Sequence, residues 1–288
     1  MAPRPSPDRS AGPDAAAHLA PDVAGGIRTQ HSAIVTGGAG GLGAPTVQRL
    51  LAEGYAVVAL DRRHDPDGPT VDGLRRVEGD VTDDEAMHAA IVASRELGEL
   101  RVLVNVAGGS APGTATIGPD GAPHDRRTFE RTLTSNAVGT FNAARLVAAA
   151  MADQPADGDG QRGVIVNTAS VAGFEGQRGQ LAYAAAKAAI LGMTLPMARD
   201  LASAGIRVCA VAPGPMGTPA MLRLRGQLLE DPAADVVNPA RMGRPEEFAA
   251  LVAHIVANPY LNGENIRLDG ALRLGVGTEP SPSGVDRQ

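Results

Sequence analysis

Between residues 32 and 268 the chain alternates short, unbroken apolar runs with longer stretches of helical period. SAIVT (32–36), YAVVAL (55–60), RVLVNV (101–106), GVIVNTAS (163–170) and IRVCAVA (206–212) are nearly free of charge. A run that is apolar at consecutive positions is buried on both faces, which is the habit of strands in a parallel sheet. LRRVEGD (74–80) and ENIRL (264–268) read as a third and a last strand. Helical period fills the gaps: 42–53, closed by Gly54 as a C-terminal cap; a helix opened by the Thr82-Asp-Asp-Glu85 capping box; 128–153; 183–204, with a kink expected at Pro196; and 245–257. Residues 216–242 read as irregular apart from a short helix near 221–229. Strand and helix alternate throughout, which predicts an α/β fold, a doubly wound parallel sheet with helices on both faces.

The flanks break this pattern. Residues 1–31 are rich in Pro, Ala and Asp, and 275–288 has the same character. Both read as disordered tails around one domain at 32–274. The N-terminal arm lacks the apolar core of a signal peptide, and Asp8, Asp14 and Asp22 argue against an organellar presequence. No apolar stretch reaches the roughly 18 residues of a membrane span, so no membrane partner is expected. A net charge of −6 with both signs interspersed argues against a nucleic-acid surface. A single cysteine, Cys209 in an apolar run, excludes a disulfide framework and fits a reducing, cytoplasmic setting. The six histidines show no metal-ligand spacing, so no metal is expected.

Two constellations carry chemistry. The first is TGGAGGLG, Thr36 to Gly43, at the junction of the first strand and first helix. Glycines there (Gly37, Gly40, Gly41, Gly43) let the backbone turn tightly and approach a pyrophosphate, which the helix N-terminus attracts. Asp61 ends the second strand about 20 residues on, where an acid accepts hydrogen bonds from both ribose hydroxyls. A carboxylate there repels a 2′-phosphate and favours NAD; Arg62 and Arg63 beside it pull toward NADP. Asp80 and Val81 lie where an adenine edge would fall, although Asp80 equally suits helix capping with Thr82. The second is Ser170-x12-Tyr183-x3-Lys187. Tyr183 and Lys187 are i, i+4 in an alanine-rich helical run and share one face. An ammonium beside a phenol favours the phenolate and lowers its pKa toward neutrality, as a general acid–base group requires. Ser170, where a strand ends, can hydrogen-bond an oxygen that the tyrosine also reaches.

Taken in order, the glycine turn, the Asp80-Val81 pair, Asn105-Val106-Ala107-Gly108, Asn136 and the Ser/Tyr/Lys set resemble the short-chain dehydrogenases/reductases over about residues 32–274. DGQRGVIVNTASVAGFEGQRGQ, GMTLPMARDLASAGIRV, ARMGRPEEFA and NPYLNGENIRLDGALR are similar to the type-2 3-hydroxyacyl-CoA dehydrogenases. The resemblance implies a single-domain Rossmann fold, a homotetramer, NAD as cofactor and 3-hydroxyacyl-CoA as substrate, with hydroxysteroids and other secondary alcohols for some members. It makes Tyr183 the catalytic acid/base, Ser170 the holder of the substrate oxygen, and Lys187 the residue that binds the nicotinamide ribose. It gives Asn136 a water that relays protons toward Lys187. Gly40, Leu42, Asp61, Asp80, Val81, Val106 and Met216 fall on cofactor-contact positions, together with Gly108 of the Asn-x-Ala-Gly motif, and Thr218 meets the carboxamide. Met216 stands where the nearest relatives carry an aromatic.

Substrate contacts are expected from loops 108–127 and 216–242. Met216, Met221, Leu222 and Leu228 suit an apolar acyl slot or ordinary lid packing. Gln177 suits a thioester carbonyl or a solvated loop, and Arg223 and Arg225 suit CoA phosphates. Two other functions stay open. One is an acyl-carrier-protein or acetoacetyl-CoA reductase running on NADPH. The other is a scaffold that keeps the fold without the chemistry, against which the complete Asn136, Ser170, Tyr183 and Lys187 set argues.

Overall fold

The protein is described by a computed structural model covering residues 31–65, 68–109, 115–225 and 231–276. Seven parallel strands form one sheet in the order β3-β2-β1-β4-β5-β6-β7. They are β1 (His31–Thr36), β2 (Ala56–Asp61), β3 (Leu74–Glu78), β4 (Glu99–Asn105), β5 (Gly163–Thr168), β6 (Ile206–Pro213) and β7 (Asn265–Leu268). From β1, inside the sheet, the strands wind outward to β3 and then return to the other side of β1 through β4. Beyond the C-terminal ends of β1 and β4 the connections diverge, and a crevice opens where ligands bind in such sheets. The expected Rossmann fold is therefore the observed one.

The unbroken apolar runs are explained by layers on both faces. In β1, Ile34 joins a cluster with Met87 and Ile91 of α2 (Asp84–Leu97) and Val147 and Met151 of α4 (Gly139–Ala152). Its neighbours Ala33 and Val35 point the other way, toward Val47 and Leu50 of α1 (Gly43–Ala52) and Phe248, Val252 and Ile255 of α7 (Pro245–Ala257). Consecutive residues of one strand thus fill two cores. Cys209 is fully buried in the second of these.

Several boundaries differ from the sequence reading. The N-cap of α2 is Asp83, which accepts from Glu85 N at 2.9 Å, and not Thr82. Thr82 is drawn back instead: its amide and hydroxyl both donate to Asp80 Oδ1, at 2.9 and 2.7 Å. The third strand accordingly stops at Glu78. The helix expected over 128–153 is α3 (Arg126–Leu133), a π-helical turn at Thr134–Val138, and then α4. α5 (Leu181–Asp200) runs through Pro196, and α6 (Pro219–Arg225) begins two residues before the short helix expected near 221–229, whose remaining residues lie outside the described ones. The tails 1–30 and 277–288 lie outside the described residues. α5 also corrects the search for apolar stretches. An 18-residue window within its 20 residues has a mean hydropathy of 1.4, long and apolar enough to cross a membrane by length and composition alone. Alanines, glycines and threonines hide that in a residue-by-residue reading. In the fold α5 packs on β6 and on the turn after β5.

One buried charge holds the sheet to its last helix. Arg207 of β6, 6% exposed, donates to the carbonyls of Ile255 and Val256 at the end of α7 (3.1 and 3.0 Å) and of Leu261 beyond it (2.7 Å). Those end carbonyls lack intrahelical partners, so the guanidinium serves as an internal C-terminal cap. Arg207→Met should cost about 2–4 kcal/mol of stability, because three buried carbonyls lose a charged donor. A urea-denaturation midpoint equal to the parent's would contradict this.

Candidate active site

The turn between β1 and α1 is built for close approach. Gly37 has φ +66°, and a Cβ there would sit 2.8 Å from Ala107 N. Thr36 Oγ1 accepts from Val106 N and Ala107 N at 3.2 and 3.3 Å, stitching the turn to the end of β4. A Cβ on Gly43 would lie 2.0 Å from Gly37 O. Gly43 is therefore a packing glycine behind the turn and not a residue of the cleft wall, which corrects its expected place in the cofactor contacts. Asp61 reaches the same turn: Oδ2 accepts from Ala39 N at 3.1 Å and Oδ1 from Arg62 N at 2.8 Å.

A cleft of about 800 Å³ opens along the C-terminal ends of the strands. Gly37, Gly40, Gly41 and Leu42 form one side, with Asp61, Asp80 and Val81 at the ends of β2 and β3. Val106 and Gly108 follow β4. Ser170, Tyr183 and Lys187 form the far wall, with Met216 and Thr218 closing it after β6. The turn that a Cβ would fill, the helix N-terminus behind it and the acid at the end of β2 fit a dinucleotide. Thr218 packs on the turn itself, since a Cβ on Gly41 would meet its Cβ at 2.6 Å.

The tyrosine and lysine lie together. Lys187 Nζ sits 5.6 Å from the Tyr183 ring centroid and donates to Thr168 O, the last residue of β5, at 2.9 Å. Ser170, just beyond β5, accepts from Ala172 N at 3.2 Å through its Oγ, which opens a 3-10 turn at Val171–Gly173. The electrostatics depart from the sequence reading. Burial raises the Tyr183 pKa above its ordinary value, and the hydrogen bond from Ser170 only partly opposes it. Lys187 is itself depressed by burial to about 8. Desolvation is the leading cause at both groups, and it acts against the charged form of each.

Asn136 falls inside the π-helical turn, a distortion common at functional sites. Its Nδ2 donates to Gly109 O and Thr132 O, both at 3.0 Å, and its Oδ1 accepts from Gly109 N at 3.2 Å. The side chain thus clamps the loop after β4 and does not line the cleft. A Cβ on Gly108 would sit 2.5 Å from that Oδ1, so the clamp also requires the glycine.

The structure does not bring every expected residue to the site. Gln177 accepts from Gln180 Nε2 at 3.2 Å within its own loop and is not among the lining residues. Met221 lines the cleft, but Leu222 is 52% exposed and points elsewhere. Arg223 is exposed and does not line the cleft, while Leu228 and the side chain of Arg225 lie outside the described residues. Conversely, Thr128, Arg131, Thr132 and Ser135 of α3 and the following turn line the cleft without having been anticipated. Their spacing of three, four and seven marks one helical face leading to Asn136, and that was the available signal. Among the described residues no group of three His, Cys, Asp or Glu forms a metal site.

Comparison with known proteins agrees with this geometry. The family model for short chain dehydrogenase matches residues 31–228. The chain is 45% identical over 247 residues to "3-hydroxyacyl-CoA dehydrogenase type-2" of Homo sapiens, covering 84% of this chain and 95% of that protein. It is 35% identical over 244 residues to "Ipsdienol dehydrogenase" of Ips pini, covering 83% and 96%. The crystal structure of 3-hydroxyacyl-CoA dehydrogenase type-2 from Mycobacterium avium superposes with a TM-score of 0.80 at 44% identity, covering 88% of this chain and all of that one.

The buried cation has a measurable cost. With the folded-state pKa of Lys187 below its unfolded value, the unfolded chain binds the extra proton between about pH 8 and 10.5. Folding is therefore penalised below pH 8, and the penalty fades as pH rises through that window. Lys187→Met should abolish turnover yet raise the melting temperature at pH 7, reflecting relief on the order of 3 kcal/mol. The gain should shrink by pH 10. A variant that melts below the parent at pH 7 would show that the ammonium is not under strain.

Proposed function

The chain belongs to the short chain dehydrogenase family and is an oxidoreductase, and on that premise we propose that it interconverts a 3-hydroxyacyl-CoA and the 3-oxoacyl-CoA with NAD. The observation that carries the reading is the cleft wall on which Ser170, Tyr183 and Lys187 stand together opposite the glycine turn. The nicotinamide of a bound cofactor supplies the hydride acceptor or donor. The chain supplies the rest. Tyr183 moves one proton at the substrate oxygen: in ketone reduction its O–H bond breaks and the proton goes to that oxygen, and in alcohol oxidation the phenolate takes the hydroxyl proton. Ser170 holds the same oxygen. Lys187 would hold the nicotinamide ribose and, when charged, stabilises the phenolate. Positioned acid–base help of this kind is worth about 10²–10⁴-fold.

The acyl-CoA substrate is favoured by the identity, over nearly the whole domain, to proteins named for that activity. NAD over NADP is favoured by Asp61, whose carboxylate is held against the glycine turn through Ala39 N. Arg62 also lines the cleft and favours NADPH, which keeps a reductase as the second reading. A cytoplasmic setting fits the lone buried thiol of Cys209.

A homotetramer is favoured by α5. Only 39% of its apolar window is buried within the chain, and Leu181 and Leu195 are exposed at 44% and 43%; on α4 Phe141 is 47% exposed. A helix apolar on all sides requires cover, and copies of the chain provide it. Sedimentation equilibrium should give four times the chain mass, and a monomer would overturn the assembly.

The activity is tested by following absorbance at 340 nm with acetoacetyl-CoA and NADH. Turnover is expected, at least about tenfold faster than with NADPH. Tyr183→Phe should lose about 10²–10⁴-fold in kcat while NAD affinity stays within about twofold. A Tyr183→Phe protein that turns over normally would remove the phenol from the reaction.

A further inference from the structure

Away from the cleft, a dense ionic cluster lies behind the catalytic serine. Glu175 sits on the loop between Ser170 and Tyr183. Arg267 of β7 donates to both of its oxygens, Nη1 to Oε1 at 3.0 Å and Nη2 to Oε2 at 3.2 Å. Leu274 N donates to Oε2 at 2.9 Å, and Arg273 Nε lies 3.6 Å from Oε1. Arg267 is fixed in turn by Asp269 Oδ2 at 2.7 Å and Leu272 O at 2.8 Å, and it stacks 5.2 Å from the Phe174 ring. One carboxylate therefore gathers three donors and a second cation from the C-terminal segment 267–274.

The same segment and the residues just after it touch the serine turn, the loop that follows it, and the loop at 236–238. Arg178 N donates to Val276 O at 3.0 Å. Leu272, 1% exposed, packs with Val171, the residue after Ser170, and with Val236. Val237 N and Asn238 N both donate to Gly270 O at 3.1 Å. The segment thus forms a strap that joins the turn after Ser170 to the loop at 236–238. Apart from the strap, the 3-10 turn at Val171–Gly173 packs on α5, and its hydrogen bonds include the local pair Gly173 N to Ser170 O and Glu175 N to Val171 O, both 3.0 Å. Such a turn is short and weakly bonded on its own.

We propose that Glu175 is a positioning residue for the reaction: held by Arg267 and Leu274 N, it ties the C-terminal strap to the turn that carries Ser170 and so sets where the serine hydroxyl meets the substrate oxygen. This rests on the reading of Ser170 as the residue that holds that oxygen. The carboxylate never touches the reacting atoms. It acts through the backbone five residues away, and a bidentate arginine fork gives the tie a fixed geometry. Displacement of a reacting group by about 1 Å costs about 10²-fold in rate, which is the scale at which the loss of such a tie registers.

The test is a double-mutant cycle on the full-length chain, using acetoacetyl-CoA and NADH. Glu175→Ala should lower kcat about 10- to 10²-fold with both KM values within about twofold. Glu175→Gln, which keeps an acceptor for Leu274 N, should recover part of the loss. Ser170→Ala combined with Glu175→Ala should turn over like Ser170→Ala alone, because the carboxylate acts only through the serine. Multiplicative losses in the double variant, or an unchanged kcat in Glu175→Ala, would overturn the proposal. Should the parent not reduce acetoacetyl-CoA, the substrate reading fails while the tie remains testable by hydrogen exchange. Amides 171–176 should then exchange at least about tenfold faster in Glu175→Ala with α5 unaffected; unchanged exchange there would overturn it.

Discussion

A buried ammonium held by one carbonyl governs how the site is assembled. Lys187 Nζ donates to Thr168 O at the end of β5 and lies against the face of Tyr183. Taking that charge out of water is costly, and the depressed pKa of about 8 records the cost. The fold tolerates it because α5 is pinned by apolar contacts, with Ile190 and Leu191 against Ala210 and Ala212 of β6 and Ala169 at the end of β5. The packing that makes the helix immovable is also what places tyrosine, lysine and serine on one wall.

The opposite wall follows from a different constraint, the close approach of two backbones. The turn at Gly37 and the end of β4 are joined through Thr36 Oγ1, which also donates to Asn105 Oδ1 at 3.3 Å. Asn105 Nδ2 passes the chain on to Asn167 Oδ1 of β5 at 3.0 Å. A row of buried polar side chains therefore runs beneath the cleft across β1, β4 and β5, fixing the relative heights of the strand ends. Slipping β1 or β5 against β4 would break the Thr36–Asn105 or the Asn105–Asn167 bond, so the row favours one register. The nucleotide half and the proton-transfer half of the cleft are held in register by the same row.

Asn136 and Glu175 play related parts on either side of that row. Each spends its side chain on a loop: Asn136 on Gly108–Gly109 after β4, Glu175 on the strap behind Ser170. Neither faces the cleft, yet each fixes a segment that does. Both loops are tied from behind by polar groups, and the open face of the cleft is left free of these ties.

The sheet, its helices and most of the cleft were legible in the sequence. Unbroken apolar runs such as IRVCAVA have only one economical use, a strand covered on both faces, and glycines at a strand-to-helix junction have few reasons to cluster. Asp61, Ser170, Tyr183 and Lys187 were found because each stands at a strand end or at a fixed helical spacing, which are local properties. Other features depended on neighbours far along the chain. Thr82 reads as a cap until Asp80 competes for it; Gly43 reads as a cofactor contact until Gly37 O is seen against it; Gln177 reads as a substrate ligand until Gln180 takes it. The phenol reads as acidified until burial is counted, since spacing shows which charges are adjacent but not how much water surrounds them. Periodicity and residue type thus determined the architecture and the order of the chemical groups. The tertiary structure alone decided which polar atoms were already engaged and how strongly each charge was desolvated, because both depend on what packs around a group and not on what precedes it in the chain.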